Sequence, residues 1–529
     1  MNTKEIILSQ ANIIDDELIA YGKDKFKVEL SLLDRLKDKK DGKLILVTSI
    51  NPTSAGEGKT TTSISLAQGM KQINKNAILA LREPSMGPVF GLKGGATGAG
   101  KSSIEPSLDI DLHFTGDIHA LTSAHNLLSA FIDNHIYFGN ELHIKEVMWP
   151  RALDVNDRSL REVETKAGKS SFVITAASEL MAILALSKNL DDLKTRISNI
   201  IIGINENDQF IKVSDLKIED ALTMLLKDAI KPNLVLTTEK ALAFVHAGPF
   251  ANIAHGCSSI IASQMALKLG DYVITEAGFG ADLGMEKFLD IKVPVLGKNA
   301  DLVVMVVTLK ALKLHGGVLE ENLQLKNIEA LLKGVSNLEK HLENIKSYNL
   351  DYVIALNLYT NDDKDEKEAL LKWAKRNGHE IEISDGYDLG GKGAVDLANL
   401  VVKKLEGTSN KKFKELYDVN LDIDIKINII AKNIYGAKEV TYSKRALRKL
   451  ELFKEMKYPI CMAKTPLSLS GDPLLKARPK DFILHISDIK LSNGAELIIP
   501  LTKGINVMPG LNKTPRVLDF HINKEGEVI

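Results

Sequence analysis

Short and nearly continuous runs of hydrophobic residues alternate along this chain with longer amphipathic stretches. Such runs, rich in β-branched residues, predict strands that are buried on both faces of a parallel sheet. The predicted strands are Lys43–Ile50, Ala77–Leu81, Asn199–Ile204, Asp271–Glu276, Asp301–Thr308, Asp351–Leu356 and Glu380–Ser384. The segments between them, such as Thr60–Ile73 and Ser178–Ser187, are typical of crossover helices. The alternation predicts an α/β fold with a doubly wound, mostly parallel sheet as its core.

Two changes in composition suggest domain boundaries. After Gly316–Gly317 the chain is polar, charged and helical in pattern as far as about Ser347, and a second strand–helix unit begins at Tyr348. Around Glu406–Glu415 it becomes rich in Gly, Ser, Asn and Lys, which is typical of a linker. A chain of 529 residues is too long for one hydrophobic core. We therefore expect a nucleotide-binding domain at 1–340, a smaller α/β domain at 341–413 and a C-terminal domain at 414–529.

Composition and charge exclude several classes of protein. The 68 Lys and Arg residues balance the 69 Asp and Glu residues, which leaves no long-range attraction to nucleic acid or to an anionic membrane. Cys257 and Cys461 are far apart in sequence, which excludes a disulfide scaffold and favours a reducing compartment. The N-terminal sequence does not have the pattern of a secretory signal, and no apolar stretch approaches the ~20 residues that span a bilayer. We expect a cytoplasmic protein that holds anionic ligands by a local site.

One glycine-containing loop lies between a predicted strand and a predicted helix, in the sequence KLILVTSI-NPTSAGEGK-TTTSISLAQGM. Gly56 and Gly58 permit a tight turn that presents backbone N–H groups, and Lys59 adds a positive charge for the β- and γ-phosphates of a nucleotide. The strict Walker pattern requires a glycine where this chain has Thr53. An ordinary strand-to-helix turn is the alternative, but a strand before the loop and a helix after it favour phosphate binding.

A second predicted strand ends at the charged pair Arg82 and Glu83. The end of a buried strand is where α/β proteins bind ligands, and an arginine there can bind a phosphate or carboxylate with two N–H groups. A simple ion pair at the rim of the sheet is the alternative. The stretch Gly91–Lys101, with five glycines in eleven residues, either approaches a ligand closely or forms a flexible connection.

The next segment contains the histidines His113, His119, His125 and His135. No two of them are three or four residues apart, so a helix does not place any pair on one face as metal ligands. We interpret them as interior or interface histidines. Asp117 follows a glycine at a predicted helix start and is either an N-cap or an acid of the site.

Read together, these residues resemble the formate–tetrahydrofolate ligase family. The resemblance continues in the family's order over nearly the whole chain. Its segments include TSAGEGKTTT, LREPSMGPVFGLKGGATGAG, LHFTGDIHALTSAHNLL, ALDVNDRSLR, FVITAASELMAILAL, FVHAGPFANIAHGCSSI, DYVITEAGFGADLGMEKF, LKALKLHGG, IYGAKEVTYS, CMAKT, LSLSGDP and NVMPGLNKTP.

The resemblance implies a ligase that acts in two steps. Formate attacks the γ-phosphate of Mg·ATP to give formyl phosphate and ADP, and the N10 amine of tetrahydrofolate then takes the formyl group. It implies that Arg82 clamps formate and formyl phosphate, and that Glu83 and Asp117 orient Arg82 or handle the N10 proton. The implied nucleotide site consists of Ser54, Ala55, Gly56, Glu57, Gly58, Lys59, Thr60 and Thr61, with Thr60 at the Mg²⁺.

The resemblance further implies that the pterin ring lies between Tyr359 and Tyr387 beside Ile383, in the domain at 341–413. The family usually has Phe and Trp at the tyrosine positions, and a tyrosine can also stack on a heteroaromatic ring. Packing of Tyr359 on the core is the alternative. A homotetramer and activation by a monovalent cation, K⁺ or NH₄⁺, are also implied, with small-molecule substrates and neither nucleic acid nor membrane as a partner.

This chain departs from the family's pattern in several loops. The departures are Thr97, Ala99, Lys101, Asp111, Leu236, Lys310, Leu358, Pro466 and Leu467. Lost amides and charges indicate altered recognition of the folate, whereas the residues expected to bind phosphate are retained. The alternatives are therefore a divergent paralogue acting on another folate or pterin, and a non-catalytic nucleotide-binding regulator. A carboxylate-activating P-loop enzyme like dethiobiotin synthetase is a further alternative, but such chains are much shorter.

Overall fold

The computed structural model describes residues 2–54, 56–91, 97–165, 168–407, 411–524 and 528. Within these residues, seven strands form the parallel part of one large sheet, and they are numbered here in chain order. They are β1 (Lys43–Ser49), β2 (Ala77–Leu81), β3 (Leu242–Val245), β4 (Tyr272–Glu276), β5 (Leu302–Val307), β6 (Tyr352–Asn357) and β7 (Ile381–Ser384). Their spatial order is β3-β2-β4-β1-β5-β6-β7, with every neighbouring pair parallel.

The parallel strands are apolar throughout because both faces of the sheet are covered. In β1 the side chains of Leu44 and Leu46 pack into one hydrophobic cluster, whereas those of Ile45 and Val47 pack into another. Successive side chains of a strand point to opposite faces, so a continuous apolar run means that neither face meets water. The α/β class and the mostly parallel sheet are therefore confirmed.

Beyond β3 the sheet becomes antiparallel. The strand Asn233–Thr237 pairs antiparallel with β3, and Phe26–Val28 and Leu18–Ala20 continue the sheet outward from it. Ser102–Glu105 also pairs with Asn233–Thr237, and Gly98–Ala99 pairs with Ser102–Glu105. The N-terminal strands and the strands Gly98–Ala99 and Ser102–Glu105 therefore lie next to the core at this edge.

Helices connect the strands and cover the sheet. The helix Lys59–Gln72 follows β1, and Glu179–Leu186 begins after an N-cap at Ser178, so both predicted helices are confirmed. The first connects β1 to β2, whereas the second leads toward the strand Ile201–Asn205 of another sheet, so its role as a crossover in the parallel sheet was wrong. The other α-helices are Thr3–Gln10, Ser31–Arg35, Met86–Phe90, Ser107–Leu112, Asp117–Tyr137, Leu190–Ser198, Val213–Leu216, Glu219–Leu226, Ile260–Leu269, Val293–Leu296, Leu309–His315, Ile328–Ser347, Lys364–Arg376, Gly386–Leu389, Val395–Glu406, Ile423–Ile430 and Lys444–Leu452. In the described part of the chain, no helix is long and apolar enough to cross a membrane.

One predicted strand belongs elsewhere. The run predicted at Asn199–Ile204 forms the strand Ile201–Asn205, but it lies in a separate antiparallel sheet between Ile144–Val147 and Phe210–Lys212. Its placement in the parallel sheet was wrong because an apolar run shows that a strand is buried without showing which strands it pairs with.

The remaining strands form small sheets. Val163–Thr165 pairs with Gly168–Ser170, and Arg151–Ala152 pairs with Phe172–Val173. Near the end of the chain, Glu439–Tyr442 pairs with Ile483–Ile486, and Asp488–Ser492 pairs with Leu497–Leu501.

The expected boundary near residue 340 falls inside the helix Ile328–Ser347. The helix Ile328–Ser347 leads into β6, and β6 pairs along its length with β5. The strands expected in a domain at 341–413 therefore share hydrogen bonds with the strands that precede residue 340. Because the carboxyl ends of parallel strands lie at one edge, residues following β1, β2, β4 and β6 meet there.

Candidate active site

The loop 50–58, called here the glycine loop, connects β1 to the helix Lys59–Gln72. Gly56 and Gly58 have φ angles of +84° and +69°, which place both in the left-handed region that favours glycine. A Cβ atom at Gly58 would also lie 2.3 Å from Nδ2 of Asn357. Both glycines are thus required by the backbone path. Ala55, expected in the nucleotide site, lies outside the described residues.

The buried side chain of Glu57 hydrogen-bonds to the glycine loop and to Thr308. Its side chain is 1% exposed and accepts hydrogen bonds from the Thr53 backbone N–H at 2.8 Å and from the Thr308 hydroxyl at 2.5 Å. Burial raises the pKa of Glu57, and these two hydrogen bonds oppose that shift. The carboxyl group of Glu57 is therefore a structural part of the loop.

Lys59 is the first residue of the helix, and its ammonium lies among charged neighbours. Nζ donates to the Ser49 hydroxyl at 3.3 Å. Burial lowers the pKa of Lys59, while the carboxylates of Glu276 and Glu57 raise it and the charge of Arg82 lowers it further. The ammonium group of Lys59 therefore lies near the N-terminus of this helix, at the edge of the sheet where β2 and β4 end.

Thr60 contacts a residue that the sequence did not single out. Its hydroxyl donates to Oε2 of Glu276 at 2.8 Å, and Glu276 is the last residue of β4, the strand next to β1. The available signal was an acidic residue at the end of a buried strand beside the glycine loop. Thr61 is buried in the same helix. Ser54 is exposed and donates to Oε2 of Glu320 at 2.8 Å.

Arg82 follows β2 at the same edge of the sheet. Its Nη1 donates to the Pro249 carbonyl at 3.4 Å, and its Nε is buried without a hydrogen-bond partner within the described residues. A Cβ at Gly278 would lie 3.2 Å from both terminal guanidinium nitrogens, so the backbone approaches Arg82 closely there. A buried and unsatisfied cationic donor fits an anionic ligand.

Glu83 and Asp117 lie together in the interior. Asp117 is 3% exposed, and its carboxylate accepts from Lys27 Nζ at 2.8 Å and from Asn233 Nδ2 at 2.9 Å. Burial raises the pKa of Glu83 well above its usual value, and the charge of Asp117 raises it further. Lys27 is another residue that the sequence did not indicate. Because Gly116 occupies the N-cap position and Asp117 is the first helical residue, the N-cap alternative for Asp117 was wrong.

Of the residues expected at the pterin ring, Tyr359 follows β6, Ile383 lies in β7 and Tyr387 follows β7. Tyr359 is partly buried, and Lys310 Nζ lies 3.9 Å from the centroid of its ring. Tyr387 is 51% exposed in the helix Gly386–Leu389, and its carbonyl accepts from the Lys101 N–H at 2.9 Å. Ile383 is partly buried in β7. All of these residues lie at the edge of the sheet that carries the glycine loop.

His119, His125 and His135 lie in the helix Asp117–Tyr137, whereas His113 follows the helix Ser107–Leu112, and His113 and His119 are exposed. His125 is buried, with Nδ1 2.8 Å from the Ser178 hydroxyl and Nε2 2.9 Å from the Pro150 carbonyl. Its ring stacks on Trp149 at 4.3 Å, and burial lowers its pKa to about 4. The interpretation of His125 as an interior histidine is confirmed. Among the described residues, no group of three or more His, Cys, Asp and Glu side chains is arranged to hold a metal ion.

Fold and site together define an α/β protein with a charged site at the carboxyl edge of its parallel strands. The sequence model of the family described as formate--tetrahydrofolate ligase matches residues 1–529. A formate--tetrahydrofolate ligase from Acholeplasma laidlawii (strain PG-8A) is 64% identical over 529 residues, which is 100% of both chains. The chain belongs to the formate--tetrahydrofolate ligase family. The predicted activity, ATP-dependent ligation of formate to tetrahydrofolate, is confirmed at the level of the family.

A comparison with solved structures gives a much weaker similarity. Folylpolyglutamate synthetase from Helicobacter pylori is 10% identical, with 83% of this chain and 77% of that chain covered and a TM-score of 0.21. A score this low carries no argument about the fold or the site.

Proposed function

We propose that this chain forms formyl phosphate and transfers its formyl group to tetrahydrofolate at the carboxyl edge of the parallel sheet. One observation carries the proposal. Neighbouring parallel strands end at the same edge, and there they bring together Lys59, Arg82, Glu276 and Tyr359. Three of these groups suit ATP, Mg²⁺ and a small carboxylate, and the fourth suits a flat heteroaromatic ring.

The glycine loop is proposed as the P-loop of a doubly wound sheet. Backbone N–H groups around Gly56 and Gly58 and the positive end of the helix Lys59–Gln72 would bind the β- and γ-phosphates. Lys59 would neutralise their charge. The remaining positions proposed to contribute are Ser54, Ala55, Glu57, Thr60 and Thr61. Glu57 acts within the loop, because its carboxyl oxygens are used by Thr53 and Thr308.

Mg²⁺ prefers oxygen ligands, and the contact between Thr60 and Glu276 offers a hydroxyl and a carboxylate oxygen side by side. These residues fit the ion, and they would hold it directly or through water. The bound ion supplies charge neutralisation between the β- and γ-phosphates. Its further ligands would come from the nucleotide.

Arg82 is proposed to hold formate and then formyl phosphate. An oxygen of formate attacks the γ-phosphorus, the bond from that phosphorus to the β,γ-bridging oxygen breaks, and ADP leaves. The N10 amine of tetrahydrofolate next attacks the formyl carbon, phosphate leaves and N10 loses a proton. The guanidinium neutralises anionic oxygens in both steps, and its buried Nε is an available donor. Phosphoryl transfer needs positioning of this kind more than it needs a protein nucleophile.

Glu83 and Asp117 are proposed as the pair that handles the N10 proton. Their carboxyl groups interact electrostatically: burial and the charge of Asp117 raise the pKa of Glu83, which favours its protonated form, while Asp117 pairs with Lys27.

Tyr359, Tyr387 and Ile383 are proposed to bind the pterin. This assignment uses the region 341–413, between a nucleotide-binding part at 1–340 and a C-terminal part at 414–529. We further propose a cytoplasmic homotetramer that is activated by K⁺ or NH₄⁺. Comparing turnover in K⁺ and Na⁺ buffers of equal ionic strength tests the cation, and sedimentation of the full chain tests the tetramer.

The experiment that tests the nucleotide site compares Lys59→Met with Lys71→Met. Both lysines belong to one helix, but Lys71 is exposed in its last turn and donates to the backbone carbonyls of Glu239 and Lys240. Loss of the Lys59 charge is expected to lower turnover about 100-fold or more. Lys71→Met is expected to retain turnover close to that of the parent. Equal turnover in the two variants would refute the assignment of the glycine loop.

A further inference from the structure

The carboxyl end of β6 contacts the glycine loop, although β5 lies between β6 and β1 in the sheet. Asn357 Nδ2 donates to the Glu57 carbonyl at 3.2 Å, and the Tyr359 hydroxyl donates to the Gly56 carbonyl at 3.4 Å. Asn357 also lies directly against Gly58, where a Cβ would be 2.3 Å from its Nδ2. One strand end therefore contacts three consecutive residues of the loop.

Peptide planarity extends these contacts to the N–H groups of the loop. The carbonyl of Gly56 and the N–H of Glu57 belong to one rigid plane and point in opposite directions. The same holds for the carbonyl of Glu57 and the N–H of Gly58. A donor that holds each carbonyl toward β6 therefore directs the following N–H to the other side of the loop. N–H groups in such a loop are the donors that bind phosphates.

Tyr359 is also held by its own surroundings. Lys310 Nζ covers one face of the ring at 3.9 Å from the centroid, which is within cation–π distance. The backbone N–H of Tyr359 donates to Oδ2 of Asp362 at 2.9 Å. A flat heteroaromatic ring would stack on the opposite face. In the proposed function the pterin stacks on the ring face opposite Lys310, while the Tyr359 hydroxyl is bonded to the glycine loop.

We infer that Asn357 and Tyr359 are positioning residues of the glycine loop and that Tyr359 couples pterin binding to nucleotide binding. The inference rests on the proposed function, which places the pterin on Tyr359. A stacked pterin restrains the ring, so the hydroxyl stays on the Gly56 carbonyl and the Glu57 N–H stays oriented. Tetrahydrofolate therefore tightens nucleotide binding, and by linkage the nucleotide tightens folate binding by the same factor.

The test is calorimetry of Mg·AMP-PNP binding to the full chain, without formate, in the absence and presence of saturating tetrahydrofolate. In the parent, tetrahydrofolate is expected to tighten nucleotide binding about three- to tenfold, the effect of one hydrogen bond. Tyr359→Phe keeps the aromatic ring and removes only the hydroxyl, and it is expected to bring this factor close to one. Tyr387→Phe removes a hydroxyl from the other proposed pterin contact and is expected to retain the factor.

Asn357→Ala separates positioning from coupling, because Asn357 contacts the loop without a proposed pterin contact. It is expected to weaken nucleotide binding by the same factor with and without tetrahydrofolate. Equal coupling factors in the parent and Tyr359→Phe would overturn the inference, as would a parent that binds both ligands independently. In both cases the proposed function stands. A parent that does not bind tetrahydrofolate would overturn both.

Discussion

Glu276 ends a buried strand and accepts a hydrogen bond from Thr60, the second residue of the helix after the glycine loop. At the scale of the residue, this contact places the Thr60 hydroxyl next to the Glu276 carboxylate. The strands β1 and β4 are parallel neighbours, so the helix that follows β1 through the glycine loop begins beside the last residue of β4. That placement supplies two oxygen atoms to the proposed Mg²⁺ site.

Glu276→Gln is therefore expected to raise the Mg²⁺ concentration needed for half-maximal turnover and to lower maximal turnover about 10- to 100-fold, because a neutral amide is a weaker ligand. Turnover titrated with Mg²⁺ at fixed ATP measures both effects. Glu406→Gln, at an exposed glutamate that pairs with Lys75, is the matched control. An unchanged Mg²⁺ requirement in Glu276→Gln would argue against this ligand.

The residues that the sequence indicated are those with a local signal. Lys59 and Arg82 each follow a predicted buried strand, and the strand alone gives their place in an α/β fold. Glu276 gave a similar signal, as an acid at the end of a predicted buried strand, whereas Lys27 gave none. The contacts that matter join Thr60 to Glu276 and Asp117 to Lys27 across the fold. Contacts between residues this far apart in sequence depend on the pairing of strands, which a single sequence does not show.

At the scale of the element, the helix Glu179–Leu186 joins the chain's middle to its C-terminal part. Ser178 caps the helix through the Leu180 N–H at 3.1 Å, and Glu179 in the first turn accepts from the Gly494 N–H at 2.8 Å. Burial raises the pKa of Glu179 to about 7 from an ordinary 4.5. The folded state thus holds a proton on Glu179 between these pH values, where the unfolded chain has released it.

The stability that this group contributes is full below about pH 4.5 and is lost as the pH rises through 7. Glu179→Gln keeps an acceptor oxygen but does not titrate. We expect the variant to gain stability relative to the parent between pH 5 and pH 8, by about 1–3 kcal/mol. Thermal unfolding of both proteins at the two pH values measures this. A difference that is independent of pH would contradict the assignment of the proton to Glu179.

The sequence predicted the positions of the strands better than it predicted which strands pair with each other. The periods of the hydrophobic pattern located β1, β2, β4, β5, β6 and β7 to within a few residues, because burial on both faces leaves a continuous apolar run. The strand Ile201–Asn205 has the same kind of run but pairs antiparallel in another sheet. The hydrophobicity of this strand shows that it is buried. Which strands it pairs with depends on the rest of the chain.

At the scale of the whole molecule, one buried polar network ties the glycine loop to the C-terminal part. Asn51, at the start of the loop, donates to Oδ1 of Asp282 and to the Pro466 carbonyl, both at 3.1 Å. Asp282 also pairs with Lys464 at 2.6 Å, and both of these side chains are 0% exposed. The network spans the regions 1–340 and 414–529. The departure at Pro466 therefore lies at a contact with the start of the glycine loop.

Lys464→Met is expected to destabilise the protein by about 3–5 kcal/mol, because it leaves Asp282 buried without its charge partner. The double variant Lys464→Met/Asp282→Leu removes both charges and is expected to recover part of that loss. Denaturant unfolding of the parent and both variants measures the difference. A single variant as stable as the parent, or a double variant less stable than the single one, would contradict the account of this pair.

ATP, formate and tetrahydrofolate are proposed to react at the edge of the sheet where both Arg82 and the glycine loop lie. The most direct test is ADP formation with Mg·ATP, with and without formate and tetrahydrofolate, in the parent, Arg82→Lys and Arg82→Ala. Sustained ADP release is predicted to require both substrates and to fall about 100-fold or more in Arg82→Ala, with a smaller loss in Arg82→Lys, which keeps the charge. ADP release that needs no formate, or that persists undiminished in Arg82→Ala, would contradict the account.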